Sequence, residues 1–236
     1  LFFVSGATGL LYEVLWMRRL TLVFGATQLA IATVLSAFML GLALGAGRAG
    51  RVVDGRRDLL RIYGVLEICI GLYALLFPHL IGGATAVYGV FFDAETVHFW
   101  SFQLAHLVLM GGLVLLPTMA MGATWPVLVR WATDRMSGLG TRAGLLYGAN
   151  TAGAVVGTWA TGFLLLPMLG VTTTERCAAA VNIAIGITAV LWGQRDLRSG
   201  ALEILDDRDD SAERDRLLDI QPDPDQADPV VRARLE

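Results

Sequence analysis

A few polar side chains stand inside stretches that otherwise carry almost no charge. Glu13, Arg18 and Arg19 lie in the first apolar run, Glu67 in the third, His106 in the fourth and Asn150 in the fifth. An ionisable group at membrane depth is expensive to keep there, so each is a candidate for function. At about 1.5 Å per residue, Glu13, Gln103, His106 and Asn182 fall at one level in the outer half, while Glu67 and Asn150 fall together in the inner half. Such layers suit the binding of a cation or the relay of a proton through Glu and His; structural hydrogen bonding between helices is the third reading. Glu13, Glu67, His106, Asn150 and Arg18 are the candidate substrate-binding residues.

Helical geometry limits how these groups pair. Offsets of five and six residues put Arg18 and Arg19 about 140° and 240° around the helix from Glu13, so any partner for Glu13 belongs to another helix. Arg18 and Arg19 lie toward the outer end of their run. Either they snorkel to the surface, or one of them lines a polar cavity and meets an anionic group. His79 and His98 sit near the outer interface, where solvation is sufficient.

The elements that carry these residues follow from composition. Of 236 residues, 55% are hydrophobic, and the mean hydropathy is +0.60. The apolar residues cluster in runs of roughly 20, the length that crosses about 30 Å of hydrocarbon. Six spans are expected: Leu1 to Phe24, Gln28 to Ala46, Leu60 to Ile81, Phe99 to Met121, Leu145 to Leu169, and a last one, after a short turn VTTTER, ending near Trp192. The fold class is therefore all-α, a polytopic transmembrane bundle, with residues 1–194 as the membrane domain. Pro117, Pro126 and Pro167 are places where helices kink or end. Gly41 with Gly45, and Gly153 with Gly157, are small-xxx-small pairs suited to close helix packing. No internal repeat is visible between the first three spans and the last three.

Charge sets the orientation. All 18 basic residues are arginine. The connection Gly47 to Arg61 holds Arg48, Arg51, Arg56, Arg57 and Arg61 between two apolar runs. Arginine beside a span stays on the cytoplasmic side. Placing this loop inside also places Arg130, Arg135, Arg142, Arg195 and Arg198 inside, leaves only Arg176 clearly outside, and puts both chain ends in the cytoplasm. From Glu203 onward 12 acidic residues face five arginines, net −7, whereas residues 1–202 are net +4. Residues 195–236 read as an acidic cytoplasmic tail or linker, partly disordered.

Several chemistries find no support in the sequence. There is no glycine-rich phosphate loop, no Gx[ST]xG, no CxxC and no HExxH, and no strand–helix alternation. Cys69 and Cys177 lie in apolar runs without metal-ligand spacing. The chain opens inside an apolar run without Met, as a trimmed or partial chain does. With no signal-peptide cleavage pattern, the first run reads as a retained span. No catalytic residue, metal, cofactor or nucleic-acid partner is expected on this chain; the expected surroundings are a lipid bilayer.

A set of motifs resembles a known family. Ser5 to Arg18 (SGATGLLYEVLWMR) is similar to the opening of bacterial membrane-embedded spermidine synthase-like proteins. So are Phe38 to Gly45 (FMLGLALG), Gly50 with Asp54, Glu67 with Gly71 and Tyr73, Leu116 to Thr118 with Met121 to Pro126, Tyr147 to Ala154, and Gly162 to Pro167. The resemblance covers residues 1 to about 193. It implies a transporter-like helical domain joined to an aminopropyltransferase domain that uses decarboxylated S-adenosylmethionine and a polyamine acceptor. None of that second domain lies in these residues. The implied role is an inner-membrane domain, silent by itself, that anchors the synthase or moves a polyamine-like cation. A major facilitator-type transporter half and a structural membrane scaffold are the alternatives. Asp54, Arg56 and Arg57 resemble the cytoplasmic loop of major facilitator transporters, where such charges clamp helix ends, although here Gly55 follows Asp54 directly.

Overall fold

The computed structural model describes residues 1–56, 58–92, 99–134 and 139–219, and every regular element among them is helical. The elements are α1 (Phe2–Phe24), α2 (Gln28–Val52), α3 (Leu59–Phe92), α4 (Phe99–Asp134) and α5 (Leu139–Ala160). A π turn, Thr161–Leu165, leads from α5 into α6 (Leu166–Asp219). α6 is interrupted at Gly170, whose φ of 71° and ψ of 175° lie where a Cβ is strongly disfavoured. Thr174 Oγ1 ties the break together by donating to Gly170 O at 2.7 Å and to Leu165 O at 3.2 Å.

The chain divides into two units, Leu1–Gly193 and Gln194–Glu236. The first holds the bundle. The second is helical as far as Asp219, and the rest of the expected linker lies outside the described residues.

Four stretches are long and apolar enough to cross a membrane: Gln28–Val52, Leu59–Val87, Leu107–Ala132 and Ala143–Arg195. The last has 53 residues, and the Gly170 break divides it. α1 is not among the four, because Glu13, Arg18 and Arg19 lower its hydropathy. Large apolar side chains face outward, with Leu22 75%, Phe163 71% and Met168 76% exposed, which suits a hydrocarbon surround.

Three helices run past the ends that the sequence predicts. α2 continues beyond Ala46 to Val52, α3 passes through Pro78 and Gly82-Gly83 to Phe92, and α4 passes through Pro117 and Pro126 to Asp134. Proline removes one N–H and frees the carbonyl four residues earlier, so a helix survives when a neighbour takes that carbonyl. At Pro117 the freed carbonyl belongs to Leu113, and the Tyr73 hydroxyl of α3 donates to it at 2.7 Å.

Glycine lets three helix pairs touch backbone to backbone. Gly153 and Gly157 of α5 meet Phe3 and Ala7 of α1, and Gly122 of α4 meets Leu42 of α2. Gly64 of α3 faces Gly186 of α6, where a Cβ on either would fall 2.5 Å from the other's carbonyl oxygen. The pairs α1–α5, α2–α4 and α3–α6 stay the same set when α1 is exchanged with α4, α2 with α5 and α3 with α6. The side contacts obey the same exchange, since α3 touches α4 through Tyr73 and α1 touches α6 through Trp16 and Arg19. The first three helices and the last three thus have equivalent neighbours, a symmetry that the sequence does not display.

Candidate functional site

The buried apolar residues form two clusters with a polar level between them. One is built around Trp16, Phe38, Ile70, Phe77, Met110 and Ala179, the other around Phe2, Val53, Tyr63, Val127 and Ile185. Glu67 falls between Tyr63 and Ile70 on α3, and Asn182 between Ala179 and Ile185 on α6. Both are buried, Glu67 completely and Asn182 to within 2%.

These two side chains meet. Asn182 Nδ2 donates to Glu67 Oε2 at 2.7 Å, and Ser5 Oγ of α1 donates to Glu67 Oε1. Tyr63, one turn before Glu67, is likewise fully buried, and its hydroxyl has no hydrogen-bond partner among the described residues. The carboxyl is thus held by three helices, and these neighbours are all neutral. Burying such a group without partners would be costly, and two hydrogen bonds offset that cost. Asn182 Oδ1 is left without a hydrogen bond among the described residues.

Ser5 and Asn182 also line a cavity of about 270 Å³. Its wall includes Asn150, Thr124, Gly9 and the aromatic rings of Phe2, Trp125 and Tyr147. The rings form a row: Phe2 stacks on Trp125 at 5.6 Å, and Trp125 meets Tyr147 edge-on at 5.6 Å. Glu67 stands behind this wall and reaches the cavity through Ser5 and Asn182. The site therefore combines an apolar aromatic wall with a polar corner of hydroxyl and amide groups, the usual make-up of a small-molecule pocket.

The sequence-predicted candidates do not all converge here. Asn150 lines the cavity and Glu67 backs it, so their shared level in the sequence reading corresponds to one site. Asn182 joins them rather than the outer layer to which depth counting assigned it. The reason is the Gly170 break: the last helix starts before VTTTER, not after it, so Asn182 sits deeper.

Glu13 lines a different groove, together with Arg18, Thr21 and Thr158, and its Oε2 has no hydrogen-bond partner among the described residues. Arg18 is exposed. Asp54 and Arg56 are exposed on the connection between α2 and α3, and Arg57 lies outside the described residues. His106 belongs to α4, but its side chain, like that of Gln103 and the whole of His98, is outside the description.

A second polar centre escaped the sequence reading. Arg19 Nη2 pairs with Glu175 Oε2 at 2.7 Å and donates to Thr172 Oγ1 at 3.1 Å; Trp16 Nε1 donates to Glu175 Oε1 at 3.1 Å. Of the two readings for Arg18 and Arg19, the anionic encounter holds for Arg19. Thr172-x-x-Glu175, two residues after Gly170, has the pattern of a helix-start capping box and was the available signal.

The chain is a helical bundle whose long apolar stretches are compatible with a membrane protein. No protein-family model, curated protein or solved structure matches the chain.

Proposed function

We propose that the chain is a six-span membrane domain, with both ends in the cytoplasm, that binds a small organic cation of the polyamine type within its bundle. The observation that carries this reading is Glu67, a fully buried carboxyl whose hydrogen-bond donors are neutral and stand in the wall of a cavity. Glu175, by contrast, is paired with a fixed cation, Arg19. In this reading the domain belongs to a spermidine synthase-like protein of the inner membrane, and the acidic tail leads to an aminopropyltransferase domain. The chain performs no chemistry of its own.

The neighbour pattern of the helices favours a second reading, a half of a major facilitator-type transporter, because inverted three-helix repeats are the building unit of such folds. The two readings share the cation site and differ in whether the cation crosses.

Calorimetry of the purified chain in lipid nanodiscs against spermidine, putrescine and glycerol tests the proposal. Saturable binding of the amines and none of glycerol is expected. Absence of amine binding by a folded sample contradicts it. Spermidine uptake into proteoliposomes then separates a conduit from an anchor that only holds the cation.

A further inference from the structure

One stripe of α1 carries two charges that the bundle leaves unpaired. α1 buries Leu11, Tyr12, Leu15 and Trp16 against the other helices. The groove on its other side is lined by Leu10, Glu13, Val14, Met17, Arg18 and Thr21, none of which is buried. Glu13 and Arg18 make no ion pair among the described residues, unlike Arg19 with Glu175. Unpaired charges facing hydrocarbon are costly, and charged groups within spans almost always meet a partner. These two cannot serve each other, because five residues set them about 140° apart on one helix.

Their spacing suits two parallel helices instead. Leu10, Val14, Met17 and Thr21 all fall within about 30° of the midline between Glu13 and Arg18. That is the seam of a coiled coil, with Leu10 and Met17 at d, Val14 and Thr21 at a, Glu13 at g and Arg18 at the following e. When two such stripes pack in parallel, the g flank of one lies along the e flank of the other, and here those flanks carry opposite charges. Arg18 starts about 7.5 Å further along the axis than Glu13. Helical side chains lean toward the helix N-terminus, so the long arginine arm reaches back to the level of the facing carboxylate.

We infer that the groove of α1 receives α1 of a second copy of this chain, parallel to it about a twofold axis along the membrane normal, with Glu13 of each copy paired to Arg18 of the other. One self-complementary surface is enough for such an interface. A lipid tail fills the groove but neutralises neither charge. The pairing rests on the membrane reading of the chain and not on the cation site.

Disulfide trapping of the full chain in proteoliposomes, in a background lacking Cys69 and Cys177, tests the contact. Across a parallel twofold seam each a or d residue faces its own copy, so Val14→Cys should cross-link into a dimer on mild oxidation. Leu72→Cys, 53% exposed on α3, should not. Single-molecule photobleaching at low protein density then reads the strength of association. Glu13→Arg and Arg18→Glu should each weaken the dimer at least about tenfold through like-charge contacts, and the two together should restore it.

A chain that stays monomeric at every density overturns the inference, and so does a dimer that Val14→Cys fails to trap. A double exchange that does not restore the dimer overturns the ion pairing. Where a charge reversal prevents folding, the Val14→Cys trap still decides. A monomer that binds spermidine leaves the cation reading standing, and a dimer that binds no amine removes that reading alone.

Discussion

Asn182 and Glu67 face each other across the α3–α6 interface at 2.7 Å, and small residues fix the register that brings them together. Gly64 lies against Gly186 on one side of the pair, and Gly71 against Ala179 on the other. Backbones this close allow no sliding, so the amide and the carboxyl are aligned by the helices that carry them.

Gly186→Val should therefore disrupt more than a local contact. Its Cβ would fall 2.5 Å from Gly64 O, a backbone atom that cannot move aside alone. A loss of about 1–3 kcal/mol in stability is expected, the usual range for overpacking. Gly112→Ala, where a Cβ meets nothing within 4 Å, should be neutral or slightly stabilising. Thermal unfolding in detergent compares the two; equal effects would contradict the packing account.

The Tyr73 bond to Leu113 O exists because Pro117 cannot donate to that carbonyl. Tyr73→Phe should lose about 1–3 kcal/mol by stranding the carbonyl. In a Pro117→Ala background the restored helical N–H takes Leu113 O, and the same Tyr73→Phe change should lose much less. A double-mutant cycle reads the difference; additive effects would refute the link.

Arg19 and Glu175 form a partly buried ion pair whose acid is only 2% exposed. Arg19→Met alone leaves the acid uncompensated and should destabilise by roughly 3 kcal/mol, whereas Arg19→Met with Glu175→Met should recover much of that loss. Denaturant titration of the three variants decides. Glu175→Gln is the milder case, since its carbonyl can still accept from Trp16 Nε1.

Two joins report the orientation. A cysteine replacing Gly55, in the α2–α3 connection, should react with membrane-impermeant maleimide only after cells are opened. One replacing Ala26, between α1 and α2, should react in intact cells. Both substitutions go into a background lacking Cys69 and Cys177, which are exposed. Labelling of both from the same side would contradict a spanning α2.

Helix content and the presence of a buried acid at Glu67 were legible because both are local properties: runs of apolar residues, and a lone acid within one. Asn182 was misplaced because its depth depends on where the last helix begins, and Gly170, not the threonine run, sets that point. Glu175 was overlooked for the same reason, since a residue assigned to a turn is not weighed as buried. Glu13 looked as strong a candidate as Glu67, yet it lines another groove, and the rotation of α1 that puts it there is set by packing that a single sequence does not reveal. That α4 stays helical through Pro117 depends on Tyr73, 40 residues earlier, taking Leu113 O, a contact that a single sequence does not show.

The central claim is that Glu67 serves a cation-binding site rather than merely bracing the bundle. Glu67→Gln tests it most directly. The new amide removes the negative charge while keeping an oxygen that can accept from Ser5. The account predicts a Tm close to wild type together with loss of spermidine binding in nanodisc calorimetry. Unchanged amine binding by Glu67→Gln would contradict it.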